Sequence, residues 1–229
     1  MSSKKPATDN GREAIDDVVS DMLYQVKSPN ATGKPSKLES MLKEKMDEKD
    51  WHGVIRIYET RPDEFASNSA ASIACRQLDD MPSSLYHAVK AFGLAAEEGK
   101  DVAKRRNATL VQIANRFHII SDDCHIPLIL ALEAWKIYKG EPGSRSWCAV
   151  TTAAGMLLKL AVKPDSGMTV EDAVARSDSL FQELIDVYGE EGVKSDSDLV
   201  NFCRRSIDLT LWREHSALYQ DFFAGRRPG

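Results

Sequence analysis

The chain has 229 residues, of which 42% are hydrophobic and 28% charged, and it carries a formal net charge of −5 with a pI near 5.6. This acidic balance argues against a protein that coats nucleic acid through its overall charge, while a local basic surface stays compatible with it. Apolar runs such as 126–132 are far shorter than the roughly 20 residues of a membrane span, so we expect no transmembrane helix and no membrane insertion.

The first part of the chain divides by composition into four segments. We expect a disordered polar tail over 1–10, an amphipathic helix over 11–27, a linker with Pro29, Gly33 and Pro35 over 28–37, and a helical-repeat domain over 38–229. The amino terminus lacks the apolar core of a secretory signal. The cysteines are widely separated and form no CxxC pair, which indicates buried thiols in a reducing intracellular compartment. The cytoplasm and an organelle matrix or stroma both fit this pattern.

From residue 36 onward, apolar residues recur at helical spacing and the breaks between segments are short. No alternating run indicates a strand, so the predicted fold class is all-α. The predicted helices cover about 36–46, 49–59, 63–78, 83–98, 101–119, 124–139, 145–162, 169–188, 196–207 and 209–224.

Every second predicted helix carries a similar phrase, in which an aromatic residue follows an aliphatic residue and a mostly small residue lies one turn earlier. The aromatic residues recur about every 40 residues, which is typical of a solenoid with one helix pair per unit. We therefore expect a right-handed α-solenoid of about four to five stacked antiparallel helix pairs. The aromatic residues are Tyr58, Phe92, Tyr138, Phe181 and Tyr219, and the residues one turn before them are Val54, Ala88, Ala134, Ser177 and His215.

Three stretches resemble the pentatricopeptide and tetratricopeptide repeat superfamily, most closely the pentatricopeptide type. The phrase 216–219, SALY, is similar to the second-helix pattern of that family, and 192–196, GVKSD, resembles the end of a unit with Ser195 in place of proline. The stretch 68–75, NSAASIAC, looks like a first helix. The resemblance covers about 50–224 and implies that the first helix of each pair lines a concave groove.

The same resemblance implies binding of single-stranded RNA, one base per unit, through a residue near the start of each first helix. Asn201 occupies such a position in the last unit, Ser69 in an earlier one, and Asn107 would do so if its helix began later than predicted. The predicted first helices are net basic and the helix around Phe181 is acidic, an arrangement that suits phosphate contact or an acidic protein surface. The candidate groove or RNA contacts are Asn201, Arg204, Arg205, Arg105, Arg106, Arg116 and Arg145.

One stretch concentrates side chains that bind metals, from His118 to His125. A divalent ion could use His118, Cys124 and His125, but Ser121, Asp122 and Asp123 also fit a turn that caps the next helix. The chain contains no phosphate-binding loop and no nucleophile or metalloprotease motif, so we expect no catalytic residues, cofactor, metal or small-molecule substrate. The predicted function is a non-enzymatic interaction scaffold, or a subunit of a larger assembly, that binds a protein partner in its groove. The alternative is an organellar pentatricopeptide-like protein that binds RNA in its processing or translation.

Overall fold

The computed structural model describes residues 36–95, 102–140 and 146–224, and within these ranges it contains helices and no strand. The predicted all-α fold class is confirmed for these ranges. The α-helices are α1 (Lys37–Asp47), α2 (Trp51–Thr60), α3 (Phe65–Gln77), α4 (Met81–Leu94), α5 (Val102–Ser121), α6 (His125–Ile137), α7 (Trp147–Ala161), α8 (Val170–Tyr188), α9 (Glu190–Ser195), α10 (Ser197–Arg205) and α11 (Thr210–His215). A 3₁₀ turn, Ile207–Leu209, precedes α11, and a π-helical turn, Tyr219–Ala224, follows it.

Side-chain caps begin several of these helices. Ser36 forms a reciprocal capping box with Glu39 at the start of α1. Thr169 accepts a hydrogen bond from the Asp172 amide at the start of α8. The cap of α4 is Asp80, so this helix begins two residues earlier than its predicted start at 83.

The carboxyl-terminal part departs from the predicted single helix over 209–224. Helix α11 ends before Ser216, whose hydroxyl donates to Asp178 Oδ1 at 2.6 Å and accepts a hydrogen bond from the Tyr219 amide. A serine side chain that bonds to the nearby backbone competes with the helical hydrogen-bond pattern, which explains the break. The stretch that resembles the end of a repeat unit, 192–196, lies outside the predicted helices, but its first four residues belong to the short helix α9.

Gly189 separates α8 from α9 with φ 73° and ψ 154°, a conformation that only glycine adopts readily. We expect Gly189→Ala to lower the free energy of unfolding by about 1–3 kcal/mol, although a Cβ at this position would meet no neighbouring atom. Gly93→Ala is the matched control, since Gly93 is helical and also has open space around it. This change should raise the free energy of unfolding by up to about 1 kcal/mol. Urea denaturation of both variants measures the two values, and equal effects would contradict the argument.

Consecutive helices pack against one another from α1 to α8. Side chains also connect alternate helices. The Tyr58 ring on α2 lies 4.5 Å from the His87 ring on α4, and Trp135 Nε1 on α6 donates to Glu183 on α8 at 3.0 Å. Each helix therefore contacts its neighbours in the chain, and several contact the helix after next.

The small residues predicted before the aromatic residues mark helix contacts. Val54, Ala88, Ala134 and Ser177 are all fully buried, whereas His215 is exposed. A small side chain at a helix crossing lets the neighbouring backbone approach closely. The recurring phrase thus identifies packing positions in four of its five occurrences.

The four cysteines are all buried and unpaired, as predicted. Burial raises the pKa of the Cys75 thiol to about 11 and also raises the pKa of Cys203. Among the residues that the structure describes, no helix combines the length and the apolar character that a membrane span requires.

Candidate binding face

The three predicted contacts on α10 have different surroundings. Asn201 and Arg205 are exposed, whereas Arg204 is half-buried and donates from Nε and Nη2 to the Phe223 carbonyl at 3.3 and 3.1 Å. Arg204 therefore holds the carboxyl-terminal π turn against α10. Of the three, Asn201 and Arg205 have side chains accessible to a ligand.

The arginines of α5 are buried to different degrees. Arg105 and Arg106 are half-buried, with their guanidinium groups 5.0 Å above the Phe65 ring and 5.5 Å above the Phe92 ring. Arg116 has no exposed surface, and its Nε donates to Ser84 Oγ at 3.1 Å. Arg116 is thus an interior residue, and a phosphate outside the protein does not reach it in this structure. The remaining candidate, Arg145, lies outside the described residues.

The two other polar positions suggested by the repeat resemblance are also interior. Asn107 is 2% exposed, and its Nδ2 donates to the carbonyls of Ala134 and Tyr138 at 2.6 and 3.2 Å. This amide ties α5 to the end of α6. Ser69 is likewise 2% exposed. Neither residue presents a free edge to a nucleobase.

The contacts of α5 with α3, α4, α6 and α7 show which side of α5 makes none of these contacts. Arg105 contacts Phe65 on α3, Asn107 bonds to the end of α6, and His118 Nε2 lies 3.0 Å from Lys159 Nζ on α7. Arg106 points to α4. Because successive residues turn by about 100° around a helix, these contacts occupy all but one side. The residues on the remaining side are Ala108, Gln112 and Asn115.

The corresponding side of α3 follows from the same reasoning. Ser72 Oγ donates to the Ser84 carbonyl on α4, and Ala70 and Ala74 pack against α1 and α2. With Phe65 directed at α5, the remaining side of α3 carries Ser69 and Ile73. We call the combined surface the α3–α5 face; its residues are Ser69, Ile73, Ala108, Gln112 and Asn115.

The residues of the α3–α5 face are buried. All residues of 67–76 and 107–116 are buried. Gln112 is fully buried, and neither Nε2 nor Oε1 has a hydrogen-bond partner in the described part of the chain; the same holds for Ser69 Oγ. A buried polar group without a hydrogen-bond partner lowers the stability of the fold by about 1–3 kcal/mol. The side-chain polar atoms of Gln112 and Ser69 can therefore form further hydrogen bonds.

On α7, Thr152 and Lys159 are half-buried, and Lys159 Nζ lies 3.0 Å from Asp208 Oδ1 in the 3₁₀ turn. Sequence analysis did not find the buried face, and the only signal for it is that polar residues of α3 and α5 are not confined to one stripe of each helix.

The stretch from His118 to His125 forms a turn and a helix cap. Asp123 accepts hydrogen bonds from the amides of His125 and Ile126 at the start of α6. His118 Nδ1 lies 2.9 Å from the Asp123 carbonyl oxygen, and its Nε2 faces the Lys159 ammonium, a cation. Nowhere in the described ranges do three side chains of the metal-ligating types come together at ion-binding distance.

We expect two histidines, buried His87 and half-buried His118, to make stability depend on pH. Burial lowers the pKa of His118 from its ordinary value of 6.5, with a further contribution from the charge of Lys159. Burial also lowers the pKa of His87, with a contribution from Lys90. The folded protein favours the neutral rings, so this stability is present above the unfolded pKa and is lost as pH falls through 6.5 towards the lowered values.

We therefore expect the free energy of unfolding to fall between pH 7.5 and pH 5, in a range well above the ordinary carboxyl pKa of 3.8. His118→Gln should flatten this pH profile, because the amide does not titrate. His125→Gln, at an exposed position, is the matched control. Urea denaturation at four pH values measures the slope. An unchanged slope in His118→Gln would contradict the role of this ring.

Comparison with known proteins yields no match. No protein-family model matches the chain, and neither the curated proteins nor the solved structures contain a significant match to it.

Proposed function

We propose that the chain is a non-enzymatic α-solenoid that binds a helical segment of a protein partner through a groove formed by α3, α5 and α7. In this arrangement α3, α5 and α7 are the first helices of successive pairs, and α4, α6 and α8 are the second helices. The contacts of Phe65 with Arg105, and of His118 with Lys159, support a parallel row of first helices, since each joins equivalent ends. A right-handed stack of antiparallel pairs satisfies these contacts.

The observation that carries the proposal is the α3–α5 face itself. It combines apolar Ile73 and Ala108 with the unpaired polar atoms of Ser69 and Gln112, and basic side chains are close to it on both helices. An amphipathic helix with acidic edges would supply apolar contact and opposite charge to such a groove. This chemistry favours a polypeptide over a small molecule as the ligand.

The groove is tested by placing a photo-crosslinking residue at two sites of the full-length chain. Benzoylphenylalanine in place of Thr152 samples the accessible part of the groove, and the same residue in place of Arg176 samples the exposed side of α8. We expect crosslinks to a discrete partner protein from position 152 only. The purified partner should then form the same crosslink. The chain without benzoylphenylalanine should compete with the crosslinking variant for this partner. Equal labelling from both positions would contradict the proposed groove.

The second candidate function is binding of single-stranded RNA. Exposed Asn201 and Arg205 on α10 favour it, together with the half-buried Arg105 and Arg106. Filter binding to mixed single-stranded RNA over a salt series tests this function, because phosphate contacts give a steep dependence on salt. If RNA is retained on the filter at low salt, and less of it is retained with the Arg205→Ala variant, the result would favour RNA over a protein partner as the ligand. We expect no such retention, since Arg116 and Asn107 are interior and bonded to their own chain.

A further inference from the structure

Helices α4 and α6 both carry exposed apolar side chains. On α6, Ile126, Ile129 and Ile137 are exposed. Tyr86 on α4 is 59% exposed and Ile129 is 58% exposed. Apolar residues that recur at alternating spacings of three and four are typical of a helix that packs against another helix. The exposed residues of α4 have such spacings and carry no charge; they are Pro82, Tyr86, Val89 and Gly93.

The two helices lie side by side on α5. Phe92 near the end of α4 contacts Arg106, and the Ala134 carbonyl near the end of α6 accepts a hydrogen bond from Asn107. Arg106 and Asn107 are adjacent near the start of α5. Helices α4 and α6 therefore run parallel to each other and antiparallel to α5.

The exposed apolar sides of α4 and α6 are turned towards each other. At about 100° per residue, Val89 lies about 160° around α4 from His87, which contacts Tyr58 of α2. Ile126 lies about 180° around α6 from Trp135, which bonds to Glu183 of α8. Val89 is thus directed away from α2 and Ile126 away from α8. We call this combined surface the α4–α6 patch; its residues are Tyr86, Val89, Ile126, Ile129 and Ile137.

Polar surfaces border the α4–α6 patch on the neighbouring helices. The five side chains of the patch expose roughly 400 Å² of apolar surface, and patches of about 300–600 Å² often mark interaction sites. The exposed residues of α2 and α8 are mostly polar; they are His52, Arg56, Glu59 and Thr60 on α2, and Glu171, Asp172, Ala175, Arg176, Ser179, Gln182 and Asp186 on α8. The apolar surface is therefore confined to the two helices between them.

We infer that the α4–α6 patch is a two-fold interface between two copies of this chain. A protein interface of standard size buries about 800 Å² on each partner, and slightly more than half of that area is apolar. The patch supplies about this apolar area. It lies on helices other than α3, α5 and α7, so this interface is separate from the proposed groove.

The charges around the patch favour a second copy over a charged partner. Glu133 and Lys136 are the exposed charged residues of α6, and they form an ion pair of 2.6 Å. The exposed residues of α4 and α6 therefore have no net charge, whereas the chain as a whole carries −5. Two copies can approach through this surface without repulsion between like charges. Across a two-fold axis, Glu133 of one copy can pair with Lys136 of the other.

Sedimentation velocity of the full-length chain tests the inference. We expect the unmodified chain to form a dimer within a series from about 1 to about 100 μM, where weaker interfaces of this size dissociate. Ile129→Lys and Val89→Lys should each raise the dissociation constant at least about 100-fold, because a two-fold dimer contains each substitution twice. Ala175→Lys, at an exposed position of α8, adds the same charge outside the patch and should leave the dissociation constant nearly unchanged. Circular dichroism checks that each variant is folded.

Four outcomes overturn the inference. They are a monomer at every concentration, equal weakening by Ala175→Lys, a dimer that both patch variants leave intact, and association that continues beyond the dimer, since a two-fold interface closes. If the chain is monomeric and benzoylphenylalanine at position 129 crosslinks a different protein, the patch binds that protein instead of a second copy. None of these results involves position 152, so the test of the groove stands or fails independently.

Discussion

Trp212→Ala is expected to lower the free energy of unfolding by about 3–5 kcal/mol, the usual range for a fully buried aromatic residue. Trp212 has no exposed surface and stacks on Phe181 with ring centroids 4.0 Å apart. Its Nε1 donates to Asp178 Oδ1 at 2.7 Å, so the ring joins the carboxyl-terminal helices to α8 by packing and by a hydrogen bond. Guanidinium denaturation followed by far-ultraviolet circular dichroism measures the loss.

A second substitution separates the two contributions of this ring. Trp212→Phe keeps much of the stacking and removes the donor to Asp178, so it should cost less, about 1–2 kcal/mol from the hydrogen bond together with the smaller ring. Trp51→Ala is the control for tryptophan loss in general, since Trp51 is half-buried and should cost at most about 2 kcal/mol. Equal effects of Trp212→Ala and Trp51→Ala would contradict the central place of Trp212.

The second large effect is expected at Arg116. Arg116→Ala should lower the free energy of unfolding by about 2–4 kcal/mol, because it empties a fully buried site and removes the hydrogen bond to Ser84 Oγ. Ser84 Oγ itself donates to the Ser72 carbonyl at 2.6 Å, so Arg116 completes a polar connection among α3, α4 and α5. Thermal and urea denaturation both measure the loss.

The controls distinguish an interior arginine from a surface one. Arg205→Ala, at an exposed position of α10, should change stability by no more than about 0.5 kcal/mol. Arg116→Met fills the site without charge and should cost less than Arg116→Ala, since a well-packed apolar side chain can replace a buried charge. If Arg116→Ala left stability unchanged and altered only ligand binding, the interior position of this residue would be wrong.

Helical periodicity was sufficient to predict the all-α class and most helix positions, because apolar residues recur with a period of about 3.6 residues in an amphipathic helix. The bounds of α1, α2 and α8 agree with prediction to within two residues. The break at Ser216 was not predictable, because the Asp178 carboxylate that holds the serine is distant in sequence. A local pattern contains no information about such a partner.

The candidate site was harder to predict for a related reason. Arg116 and Arg205 look alike in sequence, and each lies on a helix expected to line a groove. Arg116 is interior because α3 and α4 pack around α5, whereas Arg205 lies at an exposed position of α10. The polar side chains of α3 and α5 likewise gave no single stripe, because residues 67–76 and 107–116 are buried on every side of these helices. Periodicity identifies one buried face and does not recognise a helix that has several.

The apolar residues of α1–α3 form a cluster of their own, with Leu38, Leu42 and Val54 packed against Ala70 and Ala74. The main cluster begins with Ala88 on α4 and extends to Phe223, and it shares no buried residue with the first. Because a cooperative unit is defined by the core that its parts share, the chain has a boundary at which unfolding can stop. Unfolding should therefore proceed in two steps, in which α1–α3 open while α7, α8 and the carboxyl-terminal aromatic residues remain intact.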